Sequence, residues 1–279
     1  MSLSQSQKKT FTSYALAIVL FPFLVIMIYP FLFMVSATFK TSGGVIYEGF
    51  NLIPEEFTLE AYRNVFSGTS FEKYFLNSVI VAFFVVVGNI IFAPMAGYAF
   101  AKKEFRGKKL LFIMVLGSMM IPIHITLIPL FKMFSQIGWM DTYQVMIVPF
   151  LAGAMGIFLM RQYIQGLPSE LEQSARIDGC SEMKIYWRII FPLTRPALSV
   201  MVILVFLNSW NNYMWPFIFI SDKKMWPLTV GIANYSTYRK AMFNETMVTA
   251  SIAALPTAAV FVIFQKQIIS GMTTGAIKG

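Results

Sequence analysis

The chain has 279 residues, 57% of them apolar and 13% charged, with a formal net charge of +9. That balance excludes a soluble protein built on ordinary core helices, whose apolar runs are shorter and carry polar faces. The single cysteine, Cys180, excludes an intrachain disulfide and any cysteine-cluster metal site, and no basic face interleaved with aromatics points to nucleic acid.

Six windows lack Asp, Glu, Lys and Arg altogether: 10–39, 74–101, 110–131, 142–160, 196–221 and 246–265. Roughly 20 residues cross a bilayer core as a helix, so the prediction is an all-α polytopic membrane protein with six transmembrane helices. The first window follows Lys8 and Lys9 and far exceeds the apolar core of a signal peptide, so it reads as a retained span. An external segment, 40–73, comes next, in which TLEAYRNVF reads as a short amphipathic helix. The second span holds Pro94 and ends at KKEFRGKK (102–109), where five of eight residues are Lys or Arg. Such a short basic loop is cytoplasmic, and with six spans both termini then lie inside. The third span carries His124 between Pro122 and Pro129. Without a carboxylate in its own span it makes no metal site, and it reads as a packing residue beside a kinked segment. Pro149 is expected to break the fourth helix and Pro256 the sixth.

Between the fourth and fifth windows lies a polar interval, 166–195, longer than a connection between two helices needs to be. From Ser169 to Pro196 the sequence SELEQSARIDGCSEMKIYWRIIFPLTRP has a helix-forming run, Gly179, a second helical run, then Pro192 and Pro196. That is the pattern of a docking element. The fifth span contains FLNSWNNYMWPFIF, in which Asn208, Asn211 or Asn212, and Trp215 fall at i, i+3/i+4 and i+7 and so form one helical stripe. Carboxamides in hydrocarbon need partners. A ring beside amides suits a sugar, whose C–H face it covers while the amides bond the hydroxyls. The same stripe also suits interhelical hydrogen bonding with an interfacial tryptophan. A second external loop is expected at 221–245.

No catalytic constellation emerges: there is no nucleotide-binding Gly-rich loop, no His-Glu-x-x-His and no paired carboxylate within the spans. Carriers driven by protons or sodium usually hold a charged group inside the membrane. A secondary carrier or channel for a polar solute is therefore the weaker alternative to a transporter powered from another polypeptide.

The interval 166–195 resembles the EAA loop of ABC-importer permeases, whose pattern is Glu-Ala-Ala, three residues, Gly, nine residues, Ile-x-Leu-Pro. Here Gln173-Ser174-Ala175, Gly179 and Ile189-Ile190-Phe191-Pro192 keep the spacing, with Glu172 one residue early. Further motifs are similar to the smaller, six-span subunit of the carbohydrate (maltose-type) permeases. They are Ala96-Gly97-Tyr98-Ala99-Phe100-Ala101 before Phe105-Arg106-Gly107, Ile128-Pro129-Leu130, the Trp-Asn and Trp-Pro pairs of the fifth span, Leu228-Thr229-Val230-Gly231, and the closing Gly275-Ala276-Ile277-Lys278-Gly279. The resemblance implies a single permease domain of the type I importer fold in the bacterial-type cell membrane. It also implies a second permease subunit, an ATPase dimer and an extracellular solute-binding protein as partners. ATP and magnesium would sit on the ATPase, and this chain would bind no cofactor. Glu172, Gln173, Ser174, Ala175, Asp178, Gly179, Cys180 and Pro192 are then the ATPase-coupling residues, Glu172 pairing with a basic side chain of the partner. Asn208, Asn211, Asn212 and Trp215 line the substrate pathway. The C-terminal tail touches the ATPase, and the last external loop probes the binding protein.

Overall fold

The computed structural model describes the backbone of residues 5–68, 70–238 and 243–276, and the side chains of 16–45, 47–67, 70–234 and 243–265. Residues 239–242 of the second external loop, and 277–279 of the tail's closing motif, lie outside the described residues. Fifteen α-helices follow one another among the described residues, with no strand. They are α1 (Gln5–Ala37), α2 (Gly44–Tyr47), α3 (Glu60–Gly68), α4 (Phe71–Lys102), α5 (Lys108–Met120), α6 (Ile123–Gln136), α7 (Tyr143–Ile147) and α8 (Ala154–Gln165). The remainder are α9 (Glu170–Ile177), α10 (Glu182–Ile185), α11 (Phe191–Leu193), α12 (Arg195–Trp210), α13 (Met214–Phe219), α14 (Leu228–Tyr238) and α15 (Phe243–Ala276).

Four stretches are long and apolar enough to cross a membrane: Leu16–Ala37, Phe71–Lys102, Tyr143–Gln165 and Phe243–Gln265. Two bent pairs bring the number to as many as six: α5 with α6, bent by 103°, and α12, the apolar limb of a pair bent by 75° from Glu182–Leu193, a stretch that belongs to the polar loop. Three local expectations change. The third span turns sharply at Ile121–Pro122, where extended backbone at Ile121 ends α5. Proline has no N–H, and its ring disfavours the helical conformation of the residue before it. Pro256, by contrast, does not break α15, which runs through it as α1 runs through Pro22 and Pro30 and α4 through Pro94. The fifth window is not one helix either: α12 ends at Trp210, and α13 restarts only at Met214. The Asn–Trp motif therefore lies on a break, not along a continuous stripe.

The described chain divides into two compact units. In the first, Met1–Phe71 with Ile232–Ala254, the segment after α1 folds back on itself. Phe39 stacks on Phe57 at 5.0 Å, and Tyr62 donates to Thr38 Oγ1 at 3.0 Å. Helix α3 forms where the amphipathic pattern predicts one and buries Ala61 and Val65. Lys40, fully buried, pairs with Glu48 at 3.0 Å, and the start of α15 is tied in through Asn244 to Lys40 O (3.2 Å) and Glu245 to Asn64 (2.8 Å).

The second unit, Glu72–Gly231 with Leu255–Gly279, carries both predicted functional regions. Hydrophobic transfer does not drive helices together within lipid, so close packing and polar contacts must. Gly97 on α4 shows the first: a Cβ there would meet Met160 Cβ at 2.8 Å and Arg161 N at 2.9 Å, so only glycine lets α4 and α8 approach so closely. A core cluster of Ala93, Tyr98, Met160, Ile164, Ile185 and Met201 then joins α4, α8, α10 and α12.

Candidate functional site

Helix α9 begins with Glu170 and Glu172 in its first turn and Arg176 in its last, as the helix dipole favours. It stops at a Schellman closure: Gly179 N donates to Arg176 O (3.0 Å) and Cys180 N to Ala175 O (2.9 Å), with Gly179 left-handed at φ +76°. Ser181 then accepts from Lys184 N at 3.4 Å and starts α10. The next five residues, Tyr186–Ile190, form a π-helical turn before Pro192, a feature the sequence pattern does not signal.

The two faces of α9 differ sharply. Gln173, Ser174, Asp178 and Gly179 are exposed, and Ile177 is 87% exposed. Ala175 is buried, and Cys180 is half-buried against the core cluster. Glu172 is only 3% exposed. Its carboxylate, expected to pair with a partner's basic residue, has partners within its own chain. Tyr98 of α4, itself 7% exposed, donates its hydroxyl to Glu172 Oε1, and Lys103 and Arg176 lie 3.5 and 3.8 Å from the same oxygen. Glu182 completes the cluster, accepting from Lys103 Nζ and, at 2.7 Å, from Arg176 Nε. These bonds, Arg176's first and Lys103's second, hold its carboxyl down at about 2. Lys103 also lies 4.5 Å above the Tyr98 ring, and Lys102 donates to Leu167 O at 2.5 Å. Gln173, the residue in register with the family's glutamate, is the one that faces outward.

The second region is a pair of cavities of about 400 and 360 Å³ that share Phe150, Asn208, Asn212 and Trp215. Their walls follow from the break at Pro149. Because Pro149 has no N–H, the carbonyl of Val145, four residues before it, has no helical partner. Trp215 Nε1 donates to that carbonyl at 2.8 Å. Beyond the break, Asn89 of α4 donates to Phe150 O (2.6 Å) and accepts from Gly153 N (3.0 Å). Trp215 is buried, its ring 4.9 Å from Phe150 and 4.6 Å from Phe219. It is therefore a fixed part of the wall, not an open stacking platform. The asparagines divide their work too. Asn211 Nδ2 donates to Leu207 O at 2.9 Å, and Asn212 Oδ1 accepts from Trp215 N at 3.3 Å, so both close local backbone at the break. Asn208 makes no side-chain hydrogen bond among the described residues and lines both cavities, which leaves its amide for whatever enters. His124, exposed, lines the smaller cavity.

Asn89 was not picked out by the sequence; an asparagine in mid-span followed by a proline-broken helix is the signal that would have found it.

With this geometry, a helical membrane unit carrying a folded polar loop and a polar-lined cavity, residues 89–274 match the family described as binding-protein-dependent transport system inner membrane component. The chain belongs to that family. It is 35% identical to the arabinooligosaccharides transport system permease protein of Bacillus subtilis, over 96% of this chain and 98% of that one. It is 33% identical to the trehalose/maltose transport system permease protein of Thermococcus litoralis, over 91% and 93% of the two chains. The sn-glycerol-3-phosphate permease protein of Brucella abortus is 29% identical, over 89% and 92%. In fold the chain matches a subunit of a bacterial ABC transporter involved in the import of the acidic polysaccharide alginate, with a TM-score of 0.80 over 95% of this chain and 99% of that one at 24% identity. This permease-family chain is accordingly a multi-pass membrane transport component.

Proposed function

We propose that the chain is one of two permease subunits of an ATP-binding-cassette importer for a sugar or oligosaccharide, and that it forms half of the translocation pathway. Full-length similarity to permeases named for arabinooligosaccharides and for trehalose and maltose supports the solute class. The observation that carries the coupling role is the split face of α9. Its inner side is closed by ions of its own chain, while Gln173, Ser174, Ile177 and Asp178 stand outward. That outward face, with Ile177 exposed beside polar groups on a helix whose inner side is already closed, is the surface this reading assigns to the ATPase. On this reading the loop 166–195 seats on a separate ATPase at the cytoplasmic side, both termini lie there too, and ATP and magnesium are held by the ATPase while this chain binds no cofactor. Closure of the ATPase dimer moves the loop, the two permeases rock outward-open, and an extracellular binding protein releases solute into the path lined by Asn208.

Mild-detergent purification from native cells tests this. The expected result is a second permease and an ATPase in the eluate, with ATP-dependent uptake in proteoliposomes of one of arabinooligosaccharides, maltose, trehalose or sn-glycerol 3-phosphate. Gly179→Pro should remove both ATPase recovery and uptake while insertion persists. Recovery of the chain alone, moving solute in liposomes without ATP, would refute the reading.

A further inference from the structure

The last turns of α4 grip the loop 166–195 at four places. Lys102 holds Leu167 O, Tyr98 and Lys103 hold Glu172, the same pair reaches Glu182, and the Tyr98 ring lies 5.4 Å from that of Tyr186 in the π-helical turn. Two acidic and two basic side chains meet here with a buried phenol, and the loop's beginning, both its helices and its π turn are all included. The same helix, unbroken from Phe71 to Lys102, carries Asn89 nine residues before Tyr98. At about 1.5 Å per residue the separation is roughly 14 Å. Asn89 in turn holds Phe150 O and Gly153 N, at the break that walls the larger cavity.

We propose that Tyr98, Lys103, Glu172 and Glu182 form an intrachain latch that makes α4 move with the coupling loop, so that displacement of the loop reaches the cavity wall through Asn89. The proposal rests on the importer reading given above. Tyr98 and Lys103 are positioning residues: they touch neither solute nor nucleotide and act by fixing the angle between loop and helix. A loop held only by its chain ends would swing on its own when its outer face is pulled. One clamped from Leu167 to Tyr186 transmits the pull to α4.

The test uses the complete importer (both permeases, ATPase and binding protein) in proteoliposomes. Its readout is solute imported per ATP hydrolysed, using whichever of the four solutes named above the wild-type complex accumulates. Tyr98→Phe removes only the hydroxyl, and should lower imported solute per ATP by about tenfold, the scale of a lost hydrogen bond to a carboxylate, with ATP hydrolysis continuing. Lys103→Glu should do the same, and Lys103→Arg, which keeps a cation beside Glu172 and Glu182, should hold the ratio near the wild-type value. The ratio does not depend on yield, so a latch that merely holds the fold would reduce the amount of complex and leave the ratio at the wild-type value. That outcome overturns the proposal, as does a Lys103→Arg variant whose ratio falls as far as that of Lys103→Glu. A wild-type complex that hydrolyses ATP without importing any solute would instead bring down the importer reading itself.

Discussion

Helix α4 repairs its neighbours at two levels, and it uses different chemistry at each. At Asn89 a neutral carboxamide closes the open backbone of the Pro149 break. Nine residues on, the phenol of Tyr98 and, just past the helix end, Lys103 secure a loop through a cluster of full charges. The difference follows the dielectric. An ion at membrane depth costs several kcal/mol, so an amide or an indole N–H must serve there. Near water the desolvation cost falls, and ion pairs can set the geometry of an exposed loop. Glu172 is the exception that marks the boundary: it is ionic chemistry drawn into a buried place, and it is accordingly surrounded by Tyr98, Lys103 and Arg176.

The comparison is broken most severely at that boundary residue. Glu172→Lys puts a third cation against Lys103 and Arg176 and leaves it without a buried partner, a loss of about 3–5 kcal/mol on the scale of a broken buried pair. The expected result is a large fall in the thermal midpoint of the purified complex; an unchanged midpoint would mean that the carboxylate is not held where the structure places it. At the deeper level Asn89→Leu keeps the volume and removes the amide. Phe150 O and Gly153 N are then unsatisfied, at about 1–3 kcal/mol each. Unfolding of the same complex should show a loss of comparable size, but one insensitive to salt, whereas the ionic cluster should weaken as salt is added.

A finer cut separates wall from path. Trp215→Phe keeps the ring and frees Val145 O, costing about 1 kcal/mol of stability with uptake retained. Asn208→Ala should do the opposite, leaving the midpoint in place and lowering the uptake rate, because its amide bonds nothing within the described chain. Equal uptake defects in both variants would return Trp215 to the solute path.

Much of this was legible in the residues themselves, and the reason lies in range. Uncharged runs long enough for a bilayer, the basic KKEFRGKK turn and the Gly179 closure are local, so composition and spacing reveal them. Helix α3 is legible for the same reason, through an apolar pattern of a single period. What was hidden depends on a second element. That Glu172 faces inward and Gln173 outward is decided by Tyr98, 74 residues away in sequence. That Trp215 patches the Pro149 break depends on a carbonyl 70 residues distant. Prolines show the limit most plainly: Pro149 interrupts its helix, but Pro94 and Pro256 do not. Their sequences give no separate sign, because the missing hydrogen bond can be made good by neighbours or tolerated within lipid.

The mildest test acts on the charged level alone, through pH. Glu182 is exposed enough for its pairs to be screened, so its share of the loop's attachment is modest. Its carboxyl is lowered in the folded chain to about 2 by Arg176 and then Lys103, from an ordinary value near 4.5. For a depressed carboxyl the stabilisation is fully present above the ordinary value and is lost as pH falls through it toward the folded one. Hydrogen exchange across 170–190 should therefore keep the same protection from pH 7.5 to 5.5, once corrected for intrinsic exchange rates, and lose it only below about pH 4.5. Glu182→Gln should remove the acid step and lower protection slightly at neutral pH, while the backbone amides around Asn89, held by a group that does not titrate, stay unchanged in both. Loss of protection already at pH 6 would point to another titrating group in control of the loop, and would separate its attachment from the Arg176–Glu182–Lys103 cluster.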